Sequence, residues 1–158
     1  MATARRFRDA HQLLAEAVET GSANVGVYDA AIAAAALEGN SAQAETILRV
    51  MMDMGVKPGS ETMSQLLLTY GASGDVDGLC SVMSRATNGM FPAGALNALV
   101  YESLLRVLVP LDAWREAESF VKEAERLLPG SLTYRTYGYL MVAYAAEKQW
   151  GGAIDLAT

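Results

Sequence analysis

The apolar residues of this chain recur at intervals of three and four residues, the spacing that places them on one face of an α-helix. Alternation of apolar and polar residues with a period of two, which would indicate strands, extends over no useful length. The pattern therefore predicts an all-α protein. The predicted helices cover residues 4–19, 26–38, 42–54, 62–72, 76–87, 98–109, 113–128, 134–147 and 150–158.

Several predicted helix ends coincide with residues that begin or end helices. Ser41, Asp75 and Asp112 precede helices, where a side-chain oxygen can accept a hydrogen bond from the free amides of the first turn. Gly55 follows an apolar stripe at the position where a left-handed residue ends a helix, and Pro58 cannot continue one. The stretch "GVKPGS" is therefore predicted to be a turn between two helices.

These features recur with a period near 35 residues. Gly39 and Gly74 are 35 residues apart, and a longer step crosses the stretch "NGMFPAGALNA". Trp114 and Trp150 are 36 residues apart. Two helices in each unit of this length are typical of an α-solenoid, because a lone helical pair cannot bury its apolar face and must stack on its neighbours.

The predicted units repeat the same apolar face. In the first helix of each unit, four residues on one face are expected in the core: Tyr28, Ala31, Ile32, Ala35; Met63, Leu66, Leu67, Tyr70; Tyr101, Leu104, Leu105, Leu108; and Tyr137, Leu140, Met141, Tyr144. The second helices contribute Ala44, Ile47, Leu48, Met51; Leu79, Val82, Met83, Ala86; and Ala117, Phe120, Val121, Ala124.

The unit from Gly26 to Ser60, "GVYDAAIAAAALEGNSAQAETILRVMMDMGVKPGS", resembles a pentatricopeptide repeat (PPR). The matching features are the tyrosine near its start, the glycine at the mid-turn, the alanine of the second helix and the closing "MGVKP". Later units match more weakly, and the last, "YLMVAYAAEKQWGGAIDLAT", is equally similar to a tetratricopeptide repeat (TPR). The resemblance runs from mid-unit to mid-unit, which suggests part of a longer solenoid or ends capped by something else.

The fold class is therefore predicted to be all-α, a right-handed α-solenoid of about four stacked helix-turn-helix repeats, partial at both ends. One helical-repeat domain is expected to span residues 1–158. Its predicted parts are a partial unit 1–25, the units 26–60, 61–98 and 99–134, and a partial unit 135–158.

Composition agrees with a well-packed chain, since 52% of its residues are hydrophobic and 19% are charged. The formal net charge of -6 does not attract phosphate. No apolar run reaches the roughly 18 residues that a membrane span needs, so no span is predicted. The opening "MATARRFR" is arginine-rich, as organelle presequences often are. The apolar stripe that follows favours a helix of the folded domain over a cleavable presequence.

The sequence offers no catalytic chemistry. Cys80 and His11 are the only residues of their kinds, so neither a disulfide within the chain nor a metal site is expected. A phosphate-binding loop and a nucleophile elbow are both missing. The acidic residues of the segment 113–128 alternate with Lys122 and Arg126 and indicate a solvated face. We therefore predict a protein that is not an enzyme, with no cofactor and no metal.

In PPR proteins, the first helices line a concave groove, and each unit can read one RNA base through its fifth and last residues. The resemblance implies that the RNA-reading positions are Ala30, Gln65, Ser103 and Tyr139, with Ser60, Gly94 and Tyr134 as the last residues of their units. The family mostly uses Thr, Ser or Asn at the fifth position and Asp or Asn at the last, and no unit here has a complete pair. Arg106 and Arg135 are the only basic residues on the first helices before Lys148, so RNA binding is disfavoured.

The side chains expected to line the same groove are small, apolar or aromatic, which suits a protein partner. The residues predicted to bind it are Ala30, Ala34, Leu37, Gln65, Thr69, Ser103, Arg106 and Tyr139. The alanines can instead allow tight packing between neighbouring units. Two functions stay open: a protein-binding scaffold within a larger assembly, or a single-stranded RNA-binding protein of organellar RNA metabolism. The resemblance implies a mitochondrial or plastid location for either.

Overall fold

In a computed structural model of the chain, the backbone is described for residues 2–146 and the side chains for residues 9–146. Within this range the chain is helical, without strands. The α-helices are α1 (Ala2–Glu19), α2 (Val25–Leu37), α3 (Ser41–Asp53), α4 (Ser60–Ala72), α5 (Val76–Thr87), α6 (Ala98–Leu108), α7 (Trp114–Leu127) and α8 (Tyr134–Ala146), and a 3₁₀ helix covers Val109–Leu111. The helix predicted at 150–158 lies outside the described residues.

Asparagine or aspartate side chains cap the starts of four of these helices, α2, α3, α5 and α6. Asp75 accepts a hydrogen bond from the Gly78 amide at 2.8 Å, as predicted for the start of α5. The prediction for Ser41 was wrong by one residue, because the side chain of Asn40 caps α3 by accepting from the Gln43 amide. Asparagine is as good an N-cap as serine, so two such residues in a row leave the start of a helix ambiguous.

Asp112 does not cap α7, contrary to the prediction. The residue has a φ of 54°, in the left-handed region, and it follows the 3₁₀ helix that contains Pro110. Ala113 stands at the N-cap position instead and makes no side-chain cap. Aspartate tolerates the left-handed conformation better than most residues, so Asp112 serves as the bend between two helices.

The described residues fall into two compact units that divide between Ala95 and Leu96. In the first unit, α2 packs against α1, α3 and α4, and α4 also packs against α3 and α5. Its core is formed by the apolar faces of these helices, with Tyr28, Ile32 and Leu66 fully buried. The first helix α2 is therefore held by its own second helix, α3, and by α4, the first helix of the next repeat.

In the second unit, α6, α7 and α8 pack against one another, and the 3₁₀ helix contacts α6 and α8. Tyr101, Leu104 and Leu105 are fully buried here. The ring of Trp114 lies 5.9 Å from that of Tyr144, so an aromatic pair joins the start of α7 to α8.

Nearly all residues predicted for the core are buried. Tyr70 and Tyr137 are half-buried, because each hydroxyl reaches a glutamate on the second helix of the preceding repeat. Met141 departs from the prediction, with 40% of its surface exposed. The second helix predicted to pair with α8 lies outside the described residues.

Gly55 follows the end of α3 and adopts the left-handed conformation, with a φ of 75°. The turn "GVKPGS" thus separates α3 from α4, as predicted. Gly39 is also left-handed, and a Cβ placed there would lie 3.6 Å from the carbonyl carbon of Ala72. The mid-turn of one repeat therefore approaches the backbone of the next repeat closely.

A polar network joins α3, α4 and α5 in the first unit. Arg85 donates two hydrogen bonds to the Glu45 carboxylate, at 2.9 and 2.5 Å, and the Tyr70 hydroxyl donates a third at 2.6 Å. Burial and the hydrogen bond to Glu45 raise the pKa of Tyr70 to about 12. The network fixes the second helices of two successive repeats to the first helix between them.

Candidate partner-binding surface

The solvent-exposed face of α2 carries three of the predicted partner-binding residues. Ala30 is exposed, Ala34 is half-buried, and Leu37 has 81% of its surface exposed. Their spacing places them on one side of the helix, while Tyr28 and Ile32 on the other side are fully buried. This stripe of small and apolar side chains therefore faces solvent in the first unit.

The neighbouring helix α4 carries Gln65 and Thr69. Gln65 is half-buried, and its amide donates to Glu61 at 2.6 Å. Thr69 is fully buried, and its hydroxyl donates to the backbone carbonyl of Gln65 at 2.7 Å. The expectation that Thr69 would line an open surface is therefore corrected: its polar atom is already satisfied within its own helix.

In the second unit, the remaining predicted residues lie on two helices that pack directly against each other. Ser103 is half-buried and Arg106 is exposed on α6, and Tyr139 is half-buried on α8. Sequence reasoning missed two large apolar side chains on the same helices: Leu99 is 69% exposed and Val142 is 54% exposed. Their signal was present, since each lies one helical turn from a predicted residue.

The last residues of the units, which would complete the RNA-reading pairs, lie at helix starts or in a loop. Ser60 is the first residue of α4 and is half-buried. Gly94 lies in the loop before α6, with a φ of 88°, and Tyr134 begins α8 with 82% of its surface exposed. Of these, Tyr134 is the one that presents a large flat side chain to solvent.

Carboxylates at the fourth position of the repeat units join successive repeats, and sequence reasoning did not assign them this role. The Thr62 hydroxyl donates to Asp29 at 2.5 Å, and Thr62 in turn accepts from the Gly59 amide at 3.1 Å. Burial raises the pKa of Asp29 above its ordinary value, the Thr62 hydrogen bond opposes this shift, and the charge of Glu61 adds to it. In the second unit, Glu102 lies 3.7 Å from the guanidinium of Arg135.

The first helices of the two units differ in the charged side chains that they carry. Neither α2 nor α4 contains a lysine or an arginine, whereas both contain a carboxylate. In the second unit, Arg106 is exposed, and Arg135 lies near Glu102. A surface that binds phosphates needs several cations, and the first unit provides none on these helices.

Among residues 9–146, no cluster of three or more histidine, cysteine, aspartate or glutamate side chains is arranged to hold a metal ion. Cys80 lies within α5 and is half-buried. In the part of the chain that the structure describes, every helix is too short or too polar to cross a bilayer.

Neither a protein-family model nor a curated protein sequence matches the chain. The structure is similar to the crystal structure of the pentatricopeptide repeat protein PPR10 from maize, with a TM-score of 0.66 and 22% sequence identity. The likeness covers 92% of this chain and 20% of the maize protein, so the chain spans about a fifth of that protein's length. Similarity at this level of identity establishes the fold: the chain is an all-α helical-repeat solenoid of the pentatricopeptide repeat type.

Proposed function

We propose that the chain is a non-catalytic PPR-like scaffold that binds a protein partner within a larger assembly. The observation that carries the proposal is the exposed stripe of Ala30, Ala34 and Leu37 beside a helix without basic residues. Proteins bind apolar faces of this kind, whereas nucleic acids require positive charge.

The stripe on α2 has the form that a partner helix or extended peptide needs. Alanine side chains allow the backbone of a partner to approach closely, at the short end of the roughly 8–10 Å range of helix spacings. Leu37 projects from this smooth surface with 81% exposure. Complete burial of such a side chain stabilises a complex by about 1.5–3 kcal/mol. Leu37 is therefore the anchor expected on this surface.

The second unit supports the same function with different chemistry. Leu99 and Val142 offer exposed apolar surface, and Arg106 and Tyr139 belong to the residue types that dominate binding energy at interfaces. A partner segment with apolar and acidic side chains would match this set.

Single-stranded RNA binding in organellar RNA metabolism is the second candidate. It is favoured by the PPR-type fold and by the second unit, where the exposed ring of Tyr134 lies next to Arg135 in the chain. Bases stack on aromatic rings beside cations in single-strand binders. The net charge of -6 and the lack of a complete base-reading pair in any unit weigh against it.

For both candidates we propose a mitochondrial or plastid location, on the ground of the resemblance to PPR proteins. A fluorescent fusion of the full coding sequence, imaged with organelle markers, tests this location.

The binding test compares two leucines of similar exposure. Leu37→Asp changes the stripe on α2, and Leu13→Asp changes α1, where Leu13 is 63% exposed. The partner is first purified together with the wild-type protein from its native source. We expect its affinity for the Leu37→Asp variant to be at least tenfold lower, and its affinity for the Leu13→Asp variant to be unchanged. Equal losses with both variants would contradict the assignment of the surface.

RNA is tested directly with the same protein. Fluorescence anisotropy with labelled 12-nucleotide pools of mixed sequence, from low to physiological salt, should show no saturable binding. A tight complex that weakens steeply with salt would replace the scaffold by the RNA-binding candidate.

A further inference from the structure

A shallow groove lies on the first unit and shares no residue with the stripe of Ala30, Ala34 and Leu37 on α2, which we call the first-helix stripe. It is formed by the end of α3 and the turn 55–58 on one side and by the turn 89–92 on the other, and it encloses 390 Å³. These are equivalent turns of two successive repeats, each closed by a left-handed glycine and a proline. We call this depression the turn groove.

The lining of the turn groove is apolar and adaptable. Met52 and Met90 are 37% and 43% exposed, and Phe91 and Pro58 lie buried beneath the surface. Methionine is unbranched and polarisable, so it can fit apolar side chains of several shapes. The volume lies within the range of natural binding pockets, about 300–1,000 Å³.

The groove continues between α3 and α5. A second depression of 230 Å³ shares Met52 and Met90 with the turn groove and extends to Arg49 and Asp53. It ends at the ion pair of Arg85 with Glu45. Two connected depressions form a channel in which successive side chains of an extended peptide can lie, rather than a pocket for one compact ligand.

Charge indicates which peptide fits. Lys57 is the one charged side chain that lines the turn groove. In the second depression, Arg49 and Arg85 face Asp53 and Glu45, and Arg85 already neutralises Glu45 through two hydrogen bonds. The channel therefore carries an excess positive charge on a chain whose net charge is -6. A carboxylate beside Lys57 would complement it.

We infer that the turn groove is a docking site for an extended segment of another protein in which apolar side chains are flanked by aspartate or glutamate. Met52 and Met90 would contact the apolar side chains, and Lys57 would pair with the carboxylate. This site is separate from the first-helix stripe and does not depend on it. One excess cation is too few for nucleic acid, since most of the affinity comes from several Lys or Arg side chains that neutralise phosphates.

The experiment selects random 12-residue peptides displayed on phage against the wild-type chain, after depletion on a Met90→Glu variant. We expect the enriched peptides to combine Leu, Met or Phe with a neighbouring Asp or Glu. Their affinity should fall at least tenfold with Met52→Glu or Met90→Glu. Met54→Glu is the matched control: Met54 belongs to the same turn and is 53% exposed, but it does not line the groove.

Lys57→Glu tests the charge preference, because it should redirect selection toward peptides with Lys or Arg. In the wild-type chain, an enriched peptide should shift the NMR methyl signals of Met52 and Met90 and leave that of Met54 unchanged. This measurement needs no variant, so it remains decisive if a substitution disturbs folding.

The inference is overturned if no peptide is enriched, if Met54→Glu weakens binding as much as Met90→Glu, or if enriched peptides lack the apolar and acidic pattern. It also fails if mixed-sequence RNA moves the same methyl signals, or if the chain itself dimerises through them in analytical ultracentrifugation. If the enriched peptides instead lose binding with Leu37→Asp, they bind the first-helix stripe and not the turn groove. The two proposals can therefore fail independently.

Discussion

The pair of Arg85 and Glu45 is expected to stabilise the first unit measurably. The side chains are 27% and 25% exposed, and two hydrogen bonds at 2.9 and 2.5 Å join them. Fully exposed ion pairs contribute about 0–1 kcal/mol, while charge-assisted hydrogen bonds contribute about 1.5–3 kcal/mol. The coupling free energy of this half-buried, two-point contact should therefore fall between these two ranges, at about 1–2 kcal/mol.

The assay is a double-mutant cycle on the free energy of unfolding. Arg85→Ala, Glu45→Ala and the double variant are unfolded in urea and followed by far-ultraviolet circular dichroism. Arg85→Ala alone should cost about 2–3 kcal/mol, because it leaves a half-buried carboxylate with one donor, the hydroxyl of Tyr70. The same cycle on Lys122 and Glu118, an exposed pair one helical turn apart, should give about 0.3–0.5 kcal/mol.

The pH dependence of this pair has a definite sign. Burial acts to raise the pKa of Glu45, but the hydrogen bonds from Arg85 and Tyr70 outweigh it, and the pKa lies below its ordinary value. A lowered pKa in the folded state contributes stability that is present above the ordinary value of 4.5 and is lost as the pH falls through the folded value. Coupling no larger than that of the exposed pair, or coupling unchanged at pH 2–3, would refute the reasoning.

Three further predictions concern buried positions. Burial raises the pKa of Asp29, so the stability from its protonated form is lost as the pH rises through the folded value. Asp29→Asn keeps an acceptor for Thr62 and should remove this loss. The free energy of unfolding in urea should therefore fall less, or rise more, from pH 4 to pH 7 in this variant than in the wild-type chain, and the opposite difference would contradict it. Gly78→Ala should destabilise the chain by about 1–3 kcal/mol despite alanine's higher helix propensity, because the new Cβ would overlap the Tyr70 ring; a raised melting temperature would show that the ring moves freely. Leu104→Ala should cost about 2–5 kcal/mol in the same unfolding assay, and a loss below 1 kcal/mol would mean that α6 is not packed as described.

Helix positions and the core could be predicted from the sequence because both depend on local periodicity. The apolar spacing of Ile47, Leu48 and Met51 identifies a helix and its buried face without reference to the rest of the chain. Helix starts were less certain, since Asn40 and Ser41 are both competent caps and one hydrogen bond decides between them.

Contacts between repeats could not be predicted in this way. Glu45 meets Tyr70 and Arg85 across 25 and 40 residues, and no local pattern pairs these side chains. Thr69 has the correct helical phase for an open surface, but helix packing buries it. The surface of the candidate site was therefore anticipated on α2, where a single helix presents it, and less well on α4, where a neighbouring helix determines exposure.

The hydrogen bond from Thr62 to Asp29 has a consequence for protein engineering. Its donor and acceptor belong to two successive units, 61–98 and 26–60, so a unit excised at its own boundaries would lose one half of the contact. A chimaera that imports the α2–α3 hairpin without a hydroxyl at the third residue of the following helix would bury an unaccompanied carboxylate. Grafts should therefore be cut after Thr62, so that the acid and its donor travel together.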